Sequence, residues 1–302
     1  MVKISRVVFW IAILLIMAIG SASAGSVGLT CNNYGVSLGN APVVHGLRIN
    51  LADRNVWQVD GINLTLWVPK GKNPNPHFEM NGLAVGLLAP TAHRLQGVGV
   101  GGLGLAADEI TGLAVAGLGV GADRMTGVGI AGLGLGGDHL TGMYAAGLGI
   151  GGDDLEGLFV GGLGIGGDKL SGIFAGGLGV GGDDLEGIFL GGLGVGGDKL
   201  KGFGAGGLGV GGDHLTGLFI GGLGVGGDEI SGAAFAGFHI RAEELRGLYI
   251  APWVYARHES RGLSIAVFNY SNELHGLQLG VLNWAGNQKG ILKLLPLVNY
   301  HR

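Results

Sequence analysis

Gly187-Ile188-Phe189-Leu190-Gly191-Gly192-Leu193-Gly194-Val195-Gly196-Gly197-Asp198-Lys199-Leu200-Lys201 is one unit of a tandem repeat, and its reading decides the fold. Nine such units of 15 residues fill 97–231 without a gap, and Asp recurs at 108, 123, 138, 153, 168, 183, 198, 213 and 228. Inside the unit a second period is visible. Glycine holds positions 1, 6 and 11 (Gly187, Gly192, Gly197), and larger apolar residues fall at 2 and 4, at 7 and 9, and at 14. A helix would need apolar residues at i, i+3, i+4 and i+7 without regular glycine. Apolar pairs two apart, interrupted every five residues by a residue that tolerates positive φ, suit very short strands with tight bends between them.

The spacing therefore predicts an all-β fold, a β-solenoid in which each 15-residue unit is one three-sided coil. A single unit has too small a core to fold, and stacking supplies the rest. The residue after each Asp supports stacking: Glu109, Arg124, His139, Asp154, Lys169, Asp184, Lys199, His214 and Glu229 never place like charges side by side, as neighbouring coils in a ladder require. The Asp column itself argues the other way, because stacked carboxylates repel. The alternative that relieves it is an antiparallel meander with Gly-Asp hairpin turns, closing as an outer-membrane β-barrel of about 16 strands.

Fainter copies of the unit extend outward. They occupy 46–60 and 82–96 before the array, and 232–246, 247–261, 262–275 and 276–290 after it, about 16 units in all. Residues 61–81 hold an insertion, Pro69-Lys70-Gly71-Lys72-Asn73-Pro74-Asn75-Pro76, which the proline and glycine content marks as a loop over 69–77. The expected organisation is a signal peptide (1–24), N-terminal degenerate repeats (25–96), the glycine-rich array (97–231), and C-terminal degenerate repeats with a cap (232–302).

The signal peptide is read from Lys3 and Arg6, an apolar core over 7–20, and Ala22-Ser23-Ala24 as the small-residue cleavage pattern. The apolar run is short for a spanning helix. The sole cysteine, Cys31, permits no intramolecular disulfide and is expected to be a free thiol.

Composition excludes several classes. Glycine supplies 69 of 302 residues while proline supplies 7. The glycines do not fall on every third residue, so the chain is not a collagen. With 47% hydrophobic and 13% charged residues it is also too apolar for ordinary disorder. The array carries 15 acidic and four basic residues, a net of −11, and the remainder of the chain is net +7. No basic stripe marks a nucleic-acid partner. Aromatics gather outside the array, Trp57, Trp67, Tyr249, Trp253 and Trp284 among them, where atypical units are expected to cap the open sheet edge.

Chemistry-bearing patterns are sparse. Gly162-Leu163-Gly164-Ile165-Gly166-Gly167 fits a dinucleotide fingerprint but lacks the strand–turn–helix setting. Gly196-Gly197-Asp198-Lys199-Leu200 is similar to a calcium-binding nonapeptide, with an Asp period of 15 rather than 9. Weak cation binding is expected at most, at Asp153, Asp168, Asp183, Asp198 and Asp213. No zinc site, cofactor or catalytic residue is expected. Thr111, Thr126 and Thr141 line up, but without the paired Thr rows of ice-binding solenoids.

The C-terminal units carry a family likeness. Gly276-Leu277-Gln278-Leu279-Gly280-Val281-Leu282-Asn283-Trp284-Ala285-Gly286-Asn287, Asn269 in the unit before, and the ending Leu295-Pro296-Leu297-Val298-Asn299-Tyr300 resemble the bacterial (leptospiral-type) surface-repeat proteins. The likeness covers about 40 residues, and the central array departs from it by placing Phe and Gly at the Gln and Asn positions. It implies an exported protein of the bacterial cell surface or outer membrane, without known catalysis. The partners to expect are outer-membrane or cell-surface components, in a structural or adhesive role.

Overall fold

The computed structural model describes residues 26–68 and 77–302; the signal peptide and the Pro69–Pro76 part of the expected loop lie outside them. The chain forms a β-solenoid of about 15 turns with 15-residue spacing. It divides into two compact units, one ending at Met143 and the other running Tyr144–Arg302. In the second, the strands Gly149–Gly161, Gly164–Gly176, Gly179–Gly191 and Gly194–Gly206 lie parallel, each residue beside the one 15 later: Phe159 by Phe174, Leu170 by Leu185, Gly187 by Gly202. The first unit is built alike, with Glu79–Gly86, Thr91–Gly101, Gly104–Ala116 and Gly119–Ala131 parallel and in register. Parallel pairing between successive repeats overturns the antiparallel meander, and with it the outer-membrane barrel. The like-charge problem is met differently: from Asp123 to Asp228 the Asp residues sit exposed at a corner and are skipped by the ladder, which runs from Gly152 beside Gly167 directly to Asp154 beside Lys169.

The first residue of every coil sets the corner. Gly187 has φ +135°, and its equivalents from Gly35 to Gly276 share this sign of φ. A Cβ on Gly187 would sit 2.0 Å from the carbonyl oxygen of Gly172 in the coil below. Glycine is required both by the backbone conformation and by the close approach of stacked chains. The same marker reveals a coil that the repeat alignment passes over. Gly61 has φ +138°, and Gln58–Thr65 pairs in parallel with both Val43–Asn50 and Glu79–Gly86. The first part of the 61–81 insertion, ahead of the expected loop at 69–77, is therefore a strand of the solenoid.

Three rows fill the core. Position 3 supplies Phe159, Phe174 and Phe189, which stack at 4.9 and 5.5 Å between ring centroids, with Tyr144 stacked on Phe159 at 5.0 Å. Position 9 supplies Ile165, Val180, Val195 and Val210, and position 14 supplies Leu155, Leu170, Leu185 and Leu200, all buried. Each ring stack adds specificity beyond area burial. The apolar residues at 2, 4 and 7 face outward instead: alternation runs unbroken from Leu155 through Gly157 to Phe159, and the odd step falls between Ile150 and Leu155, at the Asp corner.

Both ends of the chain leave the parallel pattern. Ser26–Cys31 folds back antiparallel on Tyr34–Gly39 through Asn32 and Asn33, both with positive φ. Leu294–His301 runs antiparallel to the stretch from Gly276 to Trp284.

Candidate functional site

Outside the core, each coil presents three flanks of different chemistry. Positions 12, 13 and 15 form a charged flank. Along row 13, Asp154, Lys169, Asp184, Lys199 and His214 stand next to one another in that order. The nitrogen of Lys199 lies 3.4 Å from Asp184, and that of Lys201 lies 2.8 Å from Glu186 two positions further along. In the first unit Glu109 takes Arg94 at 2.7 Å and Arg124 at 3.7 Å. The alternation read from the sequence is thus a ladder of ion pairs between coils. Toward the C-terminus Glu229, Glu244 and Glu259 stand in sequence, and Arg246 bridges the first two at 3.0 and 2.6 Å. Asp153, Asp168, Asp183, Asp198 and Asp213 make an exposed row at the adjoining corner.

Convergent ligand atoms occur elsewhere. Among the described residues, one group of three or more metal-ligating side chains comes within 4.8 Å: Glu259, Glu273 and His275. Gly276 stacks on Gly262, so Glu273 stands beside Glu259, with His275 two residues further along. Arg261 already donates to Glu259 at 2.5 Å, which holds the Arg261 guanidinium above its ordinary pKa and occupies the oxygen that His275 approaches at 3.4 Å. The arrangement closes on itself as an ion-pair cluster.

The second flank, positions 8 to 10, is mostly glycine on its outer side. Near the C-terminus it becomes aromatic. Tyr255, Tyr270 and Trp284 stack face to face at 4.7 and 6.3 Å, and the Arg241 guanidinium lies 5.8 Å over Tyr255, a cation–π contact.

The third flank is apolar and open to solvent. Position 7 gives Leu148, Leu163, Leu178, Leu193, Leu208 and Leu223, then Phe238, between 47% and 60% exposed. Their backbones are chained amide to carbonyl, Leu178 to Leu163 at 2.5 Å and Leu193 to Leu178 at 2.6 Å. Beside them, Leu158, Ile173 and Ile188 at position 2 and Val160, Leu190 and Ile220 at position 4 are also exposed. A scattered exposed leucine is ordinary; contiguous apolar rows are not.

Two buried polar networks were not anticipated. Arg48 and Asp53 are both fully buried and pair at 2.5 Å. Asp53 also accepts from Asn50 at 2.8 Å and from Thr65 at 2.9 Å, and Asn63 accepts from Arg48 at 3.0 Å. Burial lowers the Arg48 pKa, against the pull of Asp53. At the other end, Asn269 donates to Asn283 at 2.7 Å, and Asn283 donates to the Leu295 carbonyl at 3.2 Å. The motif asparagines that carry the family likeness therefore tie the closing strand Leu294–His301 to the last coils. No protein-family model, curated protein or solved structure matches the chain.

Proposed function

We propose that this chain is an exported, non-enzymatic repeat protein of a bacterial cell surface, related to the leptospiral-type surface-repeat proteins and serving a structural or adhesive role. The observation that carries this reading is the apolar flank. Side-by-side rows of exposed leucine, isoleucine and valine over many coils make a contact surface larger than a soluble monomer usually shows. The reading draws further support from the N-terminal stretch with its Ala22-Ser23-Ala24 pattern, and from the C-terminal asparagine network on the residues of the family motif.

Cell fractionation with N-terminal sequencing tests the location. The expected result is a chain beginning at Gly25, recovered outside the cytoplasm and degraded by protease added to intact cells. A chain that retains Met1 and stays in the cytoplasmic fraction overturns it.

A further inference from the structure

We infer that the apolar flank of the second unit pairs face to face with the same flank of a second copy of this chain. The pairing needs nothing from the proposed location and goes beyond it. Over the eight coils beginning at Gly157 and ending with the coil of Gly262, positions 2 and 4 carry no charged or polar side chain. They run Leu158 and Val160, Ile173 and Ala175, Ile188 and Leu190, and so on to Leu263 and Ile265. Position 6 is glycine or another small or apolar residue throughout, and position 7 is the leucine row with its aromatic extension.

Area comes first. Coils stacked about 4.8 Å apart, with a flank about 20 Å wide including the corner row, give a footprint on the order of 800 Å² over eight coils. That is what each partner contributes to a standard stable interface, and it exceeds the largest apolar patch of a typical monomer.

Relief comes second. Because the strands are parallel and in register, apolar side chains form straight rows at positions 2, 4 and 7, and glycine at position 6 of the first six coils leaves a furrow beside the leucine row. A partner that fits along the whole length must repeat at the same spacing, and a second copy does. Opposed sheets of this kind interdigitate at about 10 Å. A two-fold relation uses the same patch on both copies and closes, so association stops at two.

Charge comes third. The exposed Asp row and the ion-pair ladder stand on the neighbouring flank, so two copies meeting on leucine do not press the acidic array together. No lysine or arginine stands at positions 2, 4, 6 or 7 of these coils to hold the headgroups of an anionic membrane.

The test is sedimentation of the purified chain beginning at Gly25, across concentrations from about 0.1 to 100 µM, with and without vesicles of phosphatidylcholine and phosphatidylglycerol. The expected species has twice the mass of one chain, dissociates on dilution, and does not float with the vesicles. Leu178→Lys combined with Leu208→Lys changes only exposed side chains. It should keep the β-sheet circular dichroism and melting temperature of the dilute wild-type monomer while weakening the dimer by at least about a hundredfold. Lys169→Ala on the charged flank should leave the dimer unchanged. A wild-type chain that stays monomeric at every concentration overturns the inference without recourse to any variant. So does a monomer that floats with vesicles, or a dimer that a folded Leu178→Lys, Leu208→Lys chain still forms.

Discussion

At the scale of the residue, the glycines that look alike in composition do unlike work. Gly187 sits at φ +135° with a prospective Cβ 2.0 Å from the Gly172 carbonyl oxygen, so Gly187→Ala must move one coil off the next. With an unfavourable φ added, the cost is at least about 3 kcal/mol. Gly196 has an ordinary φ and its Cβ would lie 3.8 Å from the nearest atom, the Gly211 oxygen. Gly196→Ala only reduces the freedom of the unfolded chain and should leave stability unchanged or raise it by up to about 1 kcal/mol. Urea unfolding of the two variants measures the contrast; equal effects would contradict the assignment of the corner to position 1. This position was legible in sequence, because glycine there survives into the degenerate units, Gly46, Gly82 and Gly276 included. The Arg48–Asp53 pair was not legible. A buried arginine looks like any surface arginine until its partners are placed, and these come from as far as Thr65.

At the scale of the coil, the sequence showed the charge ladder but left the direction of the apolar rows open. Alternation of charge at row 13 needs only adjacency at a spacing of 15, and the ion pairs follow it. Which apolar rows point inward depends on where the coil breaks its in–out alternation, between positions 9 and 14 at the Asp corner, and periodicity alone does not carry that. Toward the N-terminus, Asp60 joins three coils: it accepts from Asn81 at 2.7 Å and from Gln58 at 2.9 Å, and pairs with His45 at 2.7 Å. The Asn81 hydrogen bond is the main reason that its carboxyl titrates below the ordinary value of 3.8. A carboxyl with a depressed folded pKa contributes stability above its unfolded pKa and loses it as pH falls through the folded one. Amide hydrogen exchange in Val43–Asn50, Gln58–Thr65 and Glu79–Gly86 should therefore accelerate as pH drops from 5 toward 2, after correction for the intrinsic rate. Asp60→Asn should remove that dependence; if the dependence persists in this variant, Asp60 is not its source.

At the scale of the whole molecule, a parallel stack with a fixed offset has no internal reason to stop. The amides of one terminal coil match the carbonyls of any coil laid upon it, so an uncovered end is a template for another chain. The protein meets this by turning the chain around. Ser26–Cys31 and Leu294–His301 each lie antiparallel to their neighbours, and the strand now at the edge no longer repeats the glycine-cornered register. At the C-terminus the closing strand is held by side chains as well: Asn283 donates to the Leu295 carbonyl, and Gln288 donates to the Tyr300 carbonyl at 2.8 Å. Solenoid stability is close to a sum of coil and neighbour contributions, so removing the cover should cost little folding while exposing the edge. A chain ending at Asn287 is expected to keep its strand content and to associate end to end, seen as thioflavin-positive filaments and a sedimentation coefficient that climbs with time. Lysines at the newly exposed edge, Leu277→Lys and Leu279→Lys, should suppress that growth as edge charges do in natural sheets. Loss of strand content on truncation would mean that the closing strand is needed to fold the stack, and a folded truncated chain that stays the size of the intact protein would mean that coil-on-coil register alone does not drive assembly.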